Sequence, residues 1–440
     1  MGDYVKITWA AAILAHLCSP ALLPQSWPFD GKTFRGRIAY SADGNHNDED
    51  DWAASPVALA IFAEFGVKDK LVHFDYNSIL TNTNPDWEQE HETGVLGAAE
   101  RYGYRRAIFY DCQKDRNGAI DSIARAINES SADDPLYFII AGPMEVAYLG
   151  IRKSDPEKRK FVYCISHSRW NDGFSTTYVY RHNKRSVIPS GIQWLQIRDQ
   201  NEFLSTSPFG RPASEEEWRP WLWMRDSKDS KVRFLWDRLR ATTRADCSDA
   251  GMAYFLMTGD EESRISKLRT LLDEKTVSAP VGPRKYVRLE AENFLTLDQY
   301  DLEFLNDRAV SHRISVKLTS VTTGRIRTRF EQPYTAPSGR YDVDVRYFDG
   351  KDGRSRFVFH VNGAQKGDAW HASSDAGSWM THTIPDVEIR RGDEIMVEVR
   401  GDSGEYGKLD YVQLNYKGPA PDSPGPARSS SPSSEPTAAP

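Results

Sequence analysis

Cysteine is scarce in this chain: Cys18, Cys112, Cys164 and Cys247 are the four in 440 residues, with no paired spacing among them. That excludes a disulfide framework and a thiolate zinc site, and it leaves the last three as buried free thiols at strand ends. Long apolar runs are missing too. The stretch "ITWAAAILAHLC" near the start is too short for a membrane span. Basic excess is absent: 56 Lys and Arg face 63 Asp and Glu, a net charge of −7, which argues against nucleic acid or anionic lipid as a general partner. No internal repeat is visible, so a solenoid is excluded.

What is present suits a globular protein of two domains plus tails, with 39% hydrophobic and 12% aromatic residues. Residues 1–30 read as an export signal, with Lys6, the apolar stretch and the small residues Ser19–Ala21 for cleavage. The mature protein is then expected to be secreted or periplasmic, without a membrane span. Over 33–273 short apolar strands alternate with amphipathic helices: "GRIAYSA", "WAASPVALAIFAEFG", "KLVHFDYN", "ETGVLGAAERYG", "RAIFYDC", "GAIDSIARAINES", "PLYFIIAG", "MEVAYLGIRK", "KFVYCIS". That alternation predicts an α/β domain with a mostly parallel sheet covered on both faces. Residues 274–286 are polar, with Pro and Gly, and read as a linker. From 287 to 417 the period shifts to two, as in "GRYDVDVRYFDG" and "DEIMVEVRG", predicting an antiparallel β-sandwich. The Pro/Ser-rich tail 418–440 cannot bury a core and reads as disordered.

The stretch Tyr40–Trp52, "YSADGNHNDEDDW", sets five acidic side chains within nine residues at the end of the first strand. Either water solvates them as an ordinary acidic loop with Asp as helix N-cap, or a hard cation with oxygen ligands, calcium foremost, holds them together. Ligands of parallel sheets bind beyond the carboxyl ends of strands. Asn77, Gly142–Glu145 and Ser166–Asp172 follow strands two, four and five, so they converge on the same edge.

The order of these motifs resembles the nucleoside hydrolases, and especially secreted bacterial relatives with a nucleoside-hydrolase-like domain. The resemblance rests on the double Asp50-Asp51 before a helix, on Asn77, on "FIIAGPMEVAYLG" in place of a strand and Gly-Pro-Leu-Thr-Asn, and on Asp249 entering a helix in "CSDAGMAYFLMTGD". It implies Asp50, Asp51, Asp249 and the Glu145 carbonyl as metal ligands, and Asp43 or Asp48 as the base that takes a proton from water. His46 and His167 fall to the leaving-group side, since imidazole donates a proton near neutral pH. Asn45, Asn77, His91, Trp170, Asn171 and Asp172 are candidate sugar contacts, and Trp218, Trp221 and Trp223 either wall the cleft or pack in the core. The sequence departs from the family at "GNHN", which disturbs the turn, and at "ISHSRWNDGF", which replaces the family's Glu-Phe-Asn segment.

In the second domain "VRLEAENF", "VNG", "GSWMTHTI" and "GKLDYVQLNY" resemble β-sandwich carbohydrate-binding modules of families 6 and 35. That resemblance implies a structural calcium held by Glu290, Glu292 and Asp410, with Trp370, Trp379 and Asn415 as candidate sugar contacts. His382 stands where many members carry a second Trp. The two resemblances together imply a metal-assisted glycoside hydrolase on a poly- or oligosaccharide, with one Ca2+ in each domain. Alternatives are a polysaccharide lyase on a uronic-acid glycan using His46, His91, His167 or Tyr76, a non-catalytic glycan-binding protein, and an N-ribohydrolase.

Overall fold

The computed structural model describes residues 28–420 apart from 46–47, 81–83, 174–181, 209–210, 278–285, 306, 308, 312–313, 321, 331–337, 352 and 403. His46, most of residues 1–30, most of the 274–286 segment and nearly all of the tail therefore lie outside the described residues. Among the described residues no helix is long and apolar enough to cross a membrane.

The first unit is built on six parallel strands: β1 (Arg37–Ala42), β2 (Leu71–Tyr76), β3 (Phe109–Asp111), β4 (Leu136–Ala141), β5 (Val162–Ser166) and β6 (Gln193–Gln196). Their order is β3-β2-β1-β4-β5-β6, so the chain reverses direction across the sheet between β1 and β4. The strands β1, β2, β4 and β5 are buried almost throughout, which is why they read as continuous apolar runs without alternation. Four helices follow strands β1 to β4 in turn: α1 (Asp51–Glu64), α2 (Pro85–Tyr102), α3 (Cys112–Asn128) and α4 (Glu145–Lys153).

Helix α1 is apolar nearly all round, and such a helix must be central. It packs against α2 and against the helices Ser230–Ala241 and Ala250–Thr258. Phe62, Leu59 and Val57 are fully buried there, each worth roughly 2 kcal/mol by transfer from water. The domain also begins earlier than the sequence suggests. Phe29, inside the expected leader, is buried and meets Phe65 edge-on at 5.3 Å, so the core takes in residues before 33. Trp218 and Trp221 are core residues, and Trp223 packs partly buried against the same core, which removes them as cleft walls.

The second unit is a β-sandwich. One sheet runs β16 (Ser378–Ile389), β12 (Gly339–Asp349), β18 (Leu409–Gly418), β10 (Ile314–Leu318) and β9 (Tyr300–Phe304), with β7 (Tyr286–Glu290) paired to β18. The other runs β14 (Ala364–Gln365), β13 (Arg356–Val361), β17 (Glu394–Arg400), β11 (Thr323–Arg329) and β8 (Thr296–Asp298), with β15 (Trp370–His371) paired to β13. Strict in-out alternation along β12 follows from one face packing on the core and the other meeting water.

Candidate active site

Asp43 sits where the sheet order reverses, the crevice that open α/β sheets use for ligands. Its amide donates to the Ala141 carbonyl at the end of β4 (3.3 Å), and its carbonyl accepts from the Asn77 amide at the end of β2 (3.0 Å). The turn that follows is fixed from behind. Gly44 has φ +74°, and a Cβ there would lie 2.5 Å from His91 Nδ1. Trp52 Nε1 donates to the Gly44 carbonyl at 2.6 Å.

Three expected sugar contacts belong to this scaffold instead. Asn45 exchanges two hydrogen bonds with the Ile79 backbone, at 2.8 and 3.1 Å, and is fully buried. Asn77, at φ 59°, donates to the Glu88 carbonyl and to Asp111 Oδ1 and meets His91 Nδ1 at 3.1 Å. The other His91 nitrogen meets Ser55 Oγ at 3.0 Å. Burial drives the His91 pKa down to about 3, so this imidazole is neutral. With every polar edge engaged inside the protein, none of the three faces a ligand.

The acidic residues do come together, and they divide by partner. Asp50 occupies the N-cap of α1 without capping it. Its carboxylate instead meets Arg244 Nη1 at 3.3 Å, while Arg244 Nη2 meets Asp246 at 3.2 Å. Asp249 similarly caps the helix Ala250–Thr258 in position only. Its Oδ1 pairs with His167 Nε2 at 2.5 Å. Asp43 and Asp51 are the remainder: the Asp43 amide donates to Asp51 Oδ2 at 3.0 Å, but both Asp43 carboxyl oxygens and Asp51 Oδ1 are buried without a hydrogen-bond partner among the described residues.

Desolvation, then the neighbouring carboxylates, pushes Asp43 and Asp51 well above the usual carboxylate range. Burial raises Asp50 too, and lifts Asp48 to about 7. Such a group of mutually repelling buried acids demands protons or a cation. Oxygen-only donors suit a hard divalent ion. No set of three or more His, Cys, Asp or Glu side chains among the described residues forms a metal site, and Asp43 and Asp51 are left as a pair with buried carboxyl oxygens that lack a hydrogen-bond partner.

His167 has no nitrogen left for a leaving group. Nε2 goes to Asp249, and Nδ1 accepts the Gln200 amide at 3.1 Å with Asp199 at 3.5 Å. Burial opposes its protonation, but Asp199 and Asp249 outweigh that and raise it to about 10. The Gln200 N–H aimed at Nδ1 counts against a full imidazolium, so the secure role is holding Asp249 in place. Glu145 opens α4, where a helical carbonyl points along the axis to the amide four residues on. Its carboxylate accepts from the His182 amide and ring, and His182 stacks on Tyr148 at 3.7 Å. Helix geometry thus turns Glu145 away from the expected ligand role.

Past β5, Asn171 and Asp172 are buried, and Lys184 pairs with Asp172 (3.2 Å) and with Gln196 and lies over the Trp194 ring. The Trp170 side chain lies outside what the structure describes. Arg244, Asp246 and Lys184 were not singled out in the sequence. The one available signal was "RADCSD", a basic residue two and five positions before the two acids that flank Cys247.

In the sandwich, Glu290 and Glu292 lie near enough to Asp410 to act on its charge, but the three do not form a metal site. Ser311 joins two of them, its amide donating to Asp410 Oδ1 (3.0 Å) and its hydroxyl to Glu290 Oε1 (3.0 Å). Desolvation, Glu290 and Glu292 raise Asp410 to about 8, against the Ser311 amide and Arg346. Trp370 is a correction: it is 7% exposed and stacks on Phe357 and on His382 (4.2 Å) in the core. Trp379 stays half-exposed, edge-on to Phe348. Asn415 Nδ2 donates to Asp344 across the sheet at 2.8 Å.

No protein-family model matches the chain. An uncharacterized protein, P22, of Formosa agariphila is 28% identical over 262 residues, covering 54% of this chain and 91% of that one. A probable alpha-glucuronidase A of Aspergillus oryzae is 31% identical over 141 residues, 29% of this chain and 16% of its own. Alpha-glucuronidase A of Aspergillus tubingensis is 32% identical over 152 residues, 31% and 17%. The chain thus spans about a sixth of those two enzymes. Among solved structures, a family 35 carbohydrate binding module from Clostridium thermocellum matches with TM-score 0.25 and 20% identity, over 30% of this chain and 98% of that one. A module from Cellvibrio mixtus lichenase 5A matches with TM-score 0.23 and 15% identity, over 30% and 98%.

Proposed function

We propose that this chain is a secreted carbohydrate-active protein whose α/β unit, of nucleoside-hydrolase-like kind, hydrolyses a glycosidic bond and whose β-sandwich holds the glycan. The observation that carries the reading is the pair Asp43 and Asp51: buried, unpartnered carboxyls in the crevice where the sheet reverses. Sequence similarity to part of the alpha-glucuronidases supports a carbohydrate as the ligand class.

The residues divide the work as follows. Asp43 and Asp51 would hold a divalent cation such as calcium, which when bound lowers the pKa of water and orients sugar hydroxyls. Asp48, lifted to about 7, is tuned to take a proton near neutral pH, where a positioned carboxylate contributes about 10²–10⁴-fold. Asp249, steadied by His167, flanks the pair and adds negative charge where an oxocarbenium centre would develop. Arg244 ties down Asp50 and Asp246, so that charge is not left open to the cleft. Of the groups an elimination on a uronic-acid glycan would use, His91 is neutral and enclosed and His167 is engaged at both nitrogens. Tyr76 is buried with its hydroxyl toward Glu92, while His46 lies outside the described residues.

The test is digestion of a panel of neutral and acidic glycans, with products weighed by mass spectrometry, with and without chelator. A product heavier by one water supports hydrolysis. An unhydrated product means elimination, and binding without turnover on every retained glycan means a non-catalytic protein. Release of base from nucleosides would establish the N-ribohydrolase alternative.

A further inference from the structure

The outward face of the second sandwich sheet carries an arrangement that the reading above does not use. Along β11 the residues pointing outward include Arg325, Arg327 and Arg329, along β17 Glu394, Met396, Glu398 and Arg400, along β13 Arg356 and His360, and along β8 Thr296 and Asp298. Register sets Arg400 directly opposite Arg356, and Arg356 directly opposite His371 on β15. Adjacent strands lie about 4.8 Å apart, so cationic side chains on neighbouring strands face one another across the ladder. Like charges directly opposite destabilise a sheet.

The carboxylates of this face do not relieve it, since Glu394 lies opposite Arg329 and Asp298 opposite Arg325. Glu398 meets Arg325 Nε at 2.7 Å, and its other cross-strand neighbour is Val358. Arg327 lies opposite Met396, and its Nε is buried without a partner. Arg356, Arg400 and His371 are exposed, and among the described residues neither arginine has an ion pair. A chain of net charge −7 thus sets unpaired guanidinium groups together on one flat face. Guanidinium is the group best shaped to grip a planar or tetrahedral oxyanion through two parallel N–H bonds.

We infer that the outer face of the β8–β11–β17–β13 sheet, centred on Arg356 and Arg400, docks an anionic polysaccharide through its carboxylate or sulfate groups. This rests on the reading of the chain as carbohydrate-active and narrows the glycan to an acidic one. The carbohydrate-active reading favours a polysaccharide over nucleic acid, and duplex DNA enters the test as the contrary outcome.

Affinity electrophoresis of the full chain tests the inference, in gels holding polygalacturonate, a sulfated galactan, neutral galactan or duplex DNA. The comparison sets wild type against Arg356→Ser/Arg400→Ser, with Arg105→Ser as an exposed arginine elsewhere. Retardation by an acidic glycan that weakens about tenfold in the double variant, with an unchanged melting curve and a shallower salt dependence, is the expected result. Whether polygalacturonate or the sulfated galactan gives it tells carboxylate from sulfate. Equal retardation of wild type and double variant overturns the inference, as does equal binding to DNA. Retention by neutral galactan alone overturns it while leaving the carbohydrate reading intact. No retention by any glycan overturns both.

Discussion

The amide of Asp43 donates to Asp51 Oδ2 at 3.0 Å, so the backbone of one acid orients the side chain of the other. That bond leaves Asp51 Oδ1 and both Asp43 oxygens facing each other's charge without a partner. In the proposed mechanism, function and stability are therefore set against each other at this turn. Asp51→Asn keeps an acceptor for the Asp43 amide and removes one buried charge. It is expected to raise the stability of the cation-free protein by about 1–3 kcal/mol and to lower glycan hydrolysis by roughly 10²–10⁴-fold. Chelated thermal melts and product assays check the two halves separately. An Asp51→Asn protein with full activity would remove the pair from the mechanism.

Arg244 is the buried counter-charge for Asp50 and Asp246, and it is presented by Thr243, a β-branched residue at φ 56°. Such a backbone is costly and persists only where the surroundings enforce it. Thr243 Oγ1 also donates to Glu49 Oε1 at 2.8 Å, tying this segment to the acidic turn. Arg244→Gln strands two buried acids and is expected to cost about 3–5 kcal/mol in urea denaturation. Arg244→Lys, which keeps the charge but not the fork, should recover part of that loss.

Much of the fold was written in periodicity. Continuous apolar runs announced parallel strands, and alternation announced the sandwich, because burial on two faces or on one is a property of pattern. The site was legible only as a neighbourhood. Five acids after β1 were visible, but which of them are neutralised was not, since Arg244 lies 194 residues away from Asp50 in the chain. Asn77 and His91 carry polar groups that fit a sugar equally well on paper. Only the three-dimensional partners, Ser55, Glu88 and Asp111, show that their hydrogen bonds are spent inside. Trp370 misled for a similar reason, because an aromatic in a polar stretch can be core when its ring stacks on Phe357 and His382.

Two glycines with nearly the same backbone separate strain from crowding. Gly66 has φ +71° with open space where a Cβ would go, and Gly44 has φ +74° with His91 Nδ1 at 2.5 Å. Gly66→Ala should cost only the left-handed penalty, about 1–2 kcal/mol. Gly44→Ala adds a collision with a ring held by Ser55 and Asn77, so a further 1–3 kcal/mol or so is expected, along with loss of the turn's geometry and of activity. Equal melting temperatures for the two variants would show that His91 does not buttress the turn.

Asp410 gives the sandwich a pH dependence whose sign can be worked out. Desolvation first, then Glu290, raises this carboxyl from 3.8 to about 8, so between those values the folded state holds a proton that the unfolded chain has released. Folding is favoured most below the lower value, and that contribution is lost as pH rises through the upper one. In chelator the sandwich's unfolding transition is therefore expected to fall in temperature from pH 5 to pH 8.5. A cation among Glu290, Glu292 and Asp410 would replace the proton, so added calcium should flatten the slope and raise stability most at the alkaline end. Asp410→Asn should flatten it without calcium, since the amide carries no charge to bury. Scanning calorimetry across that range, with and without calcium, reads all three curves, and a wild-type transition that climbs with pH in chelator would mean that Asp410 is ionised in the fold and neutralised by Arg346.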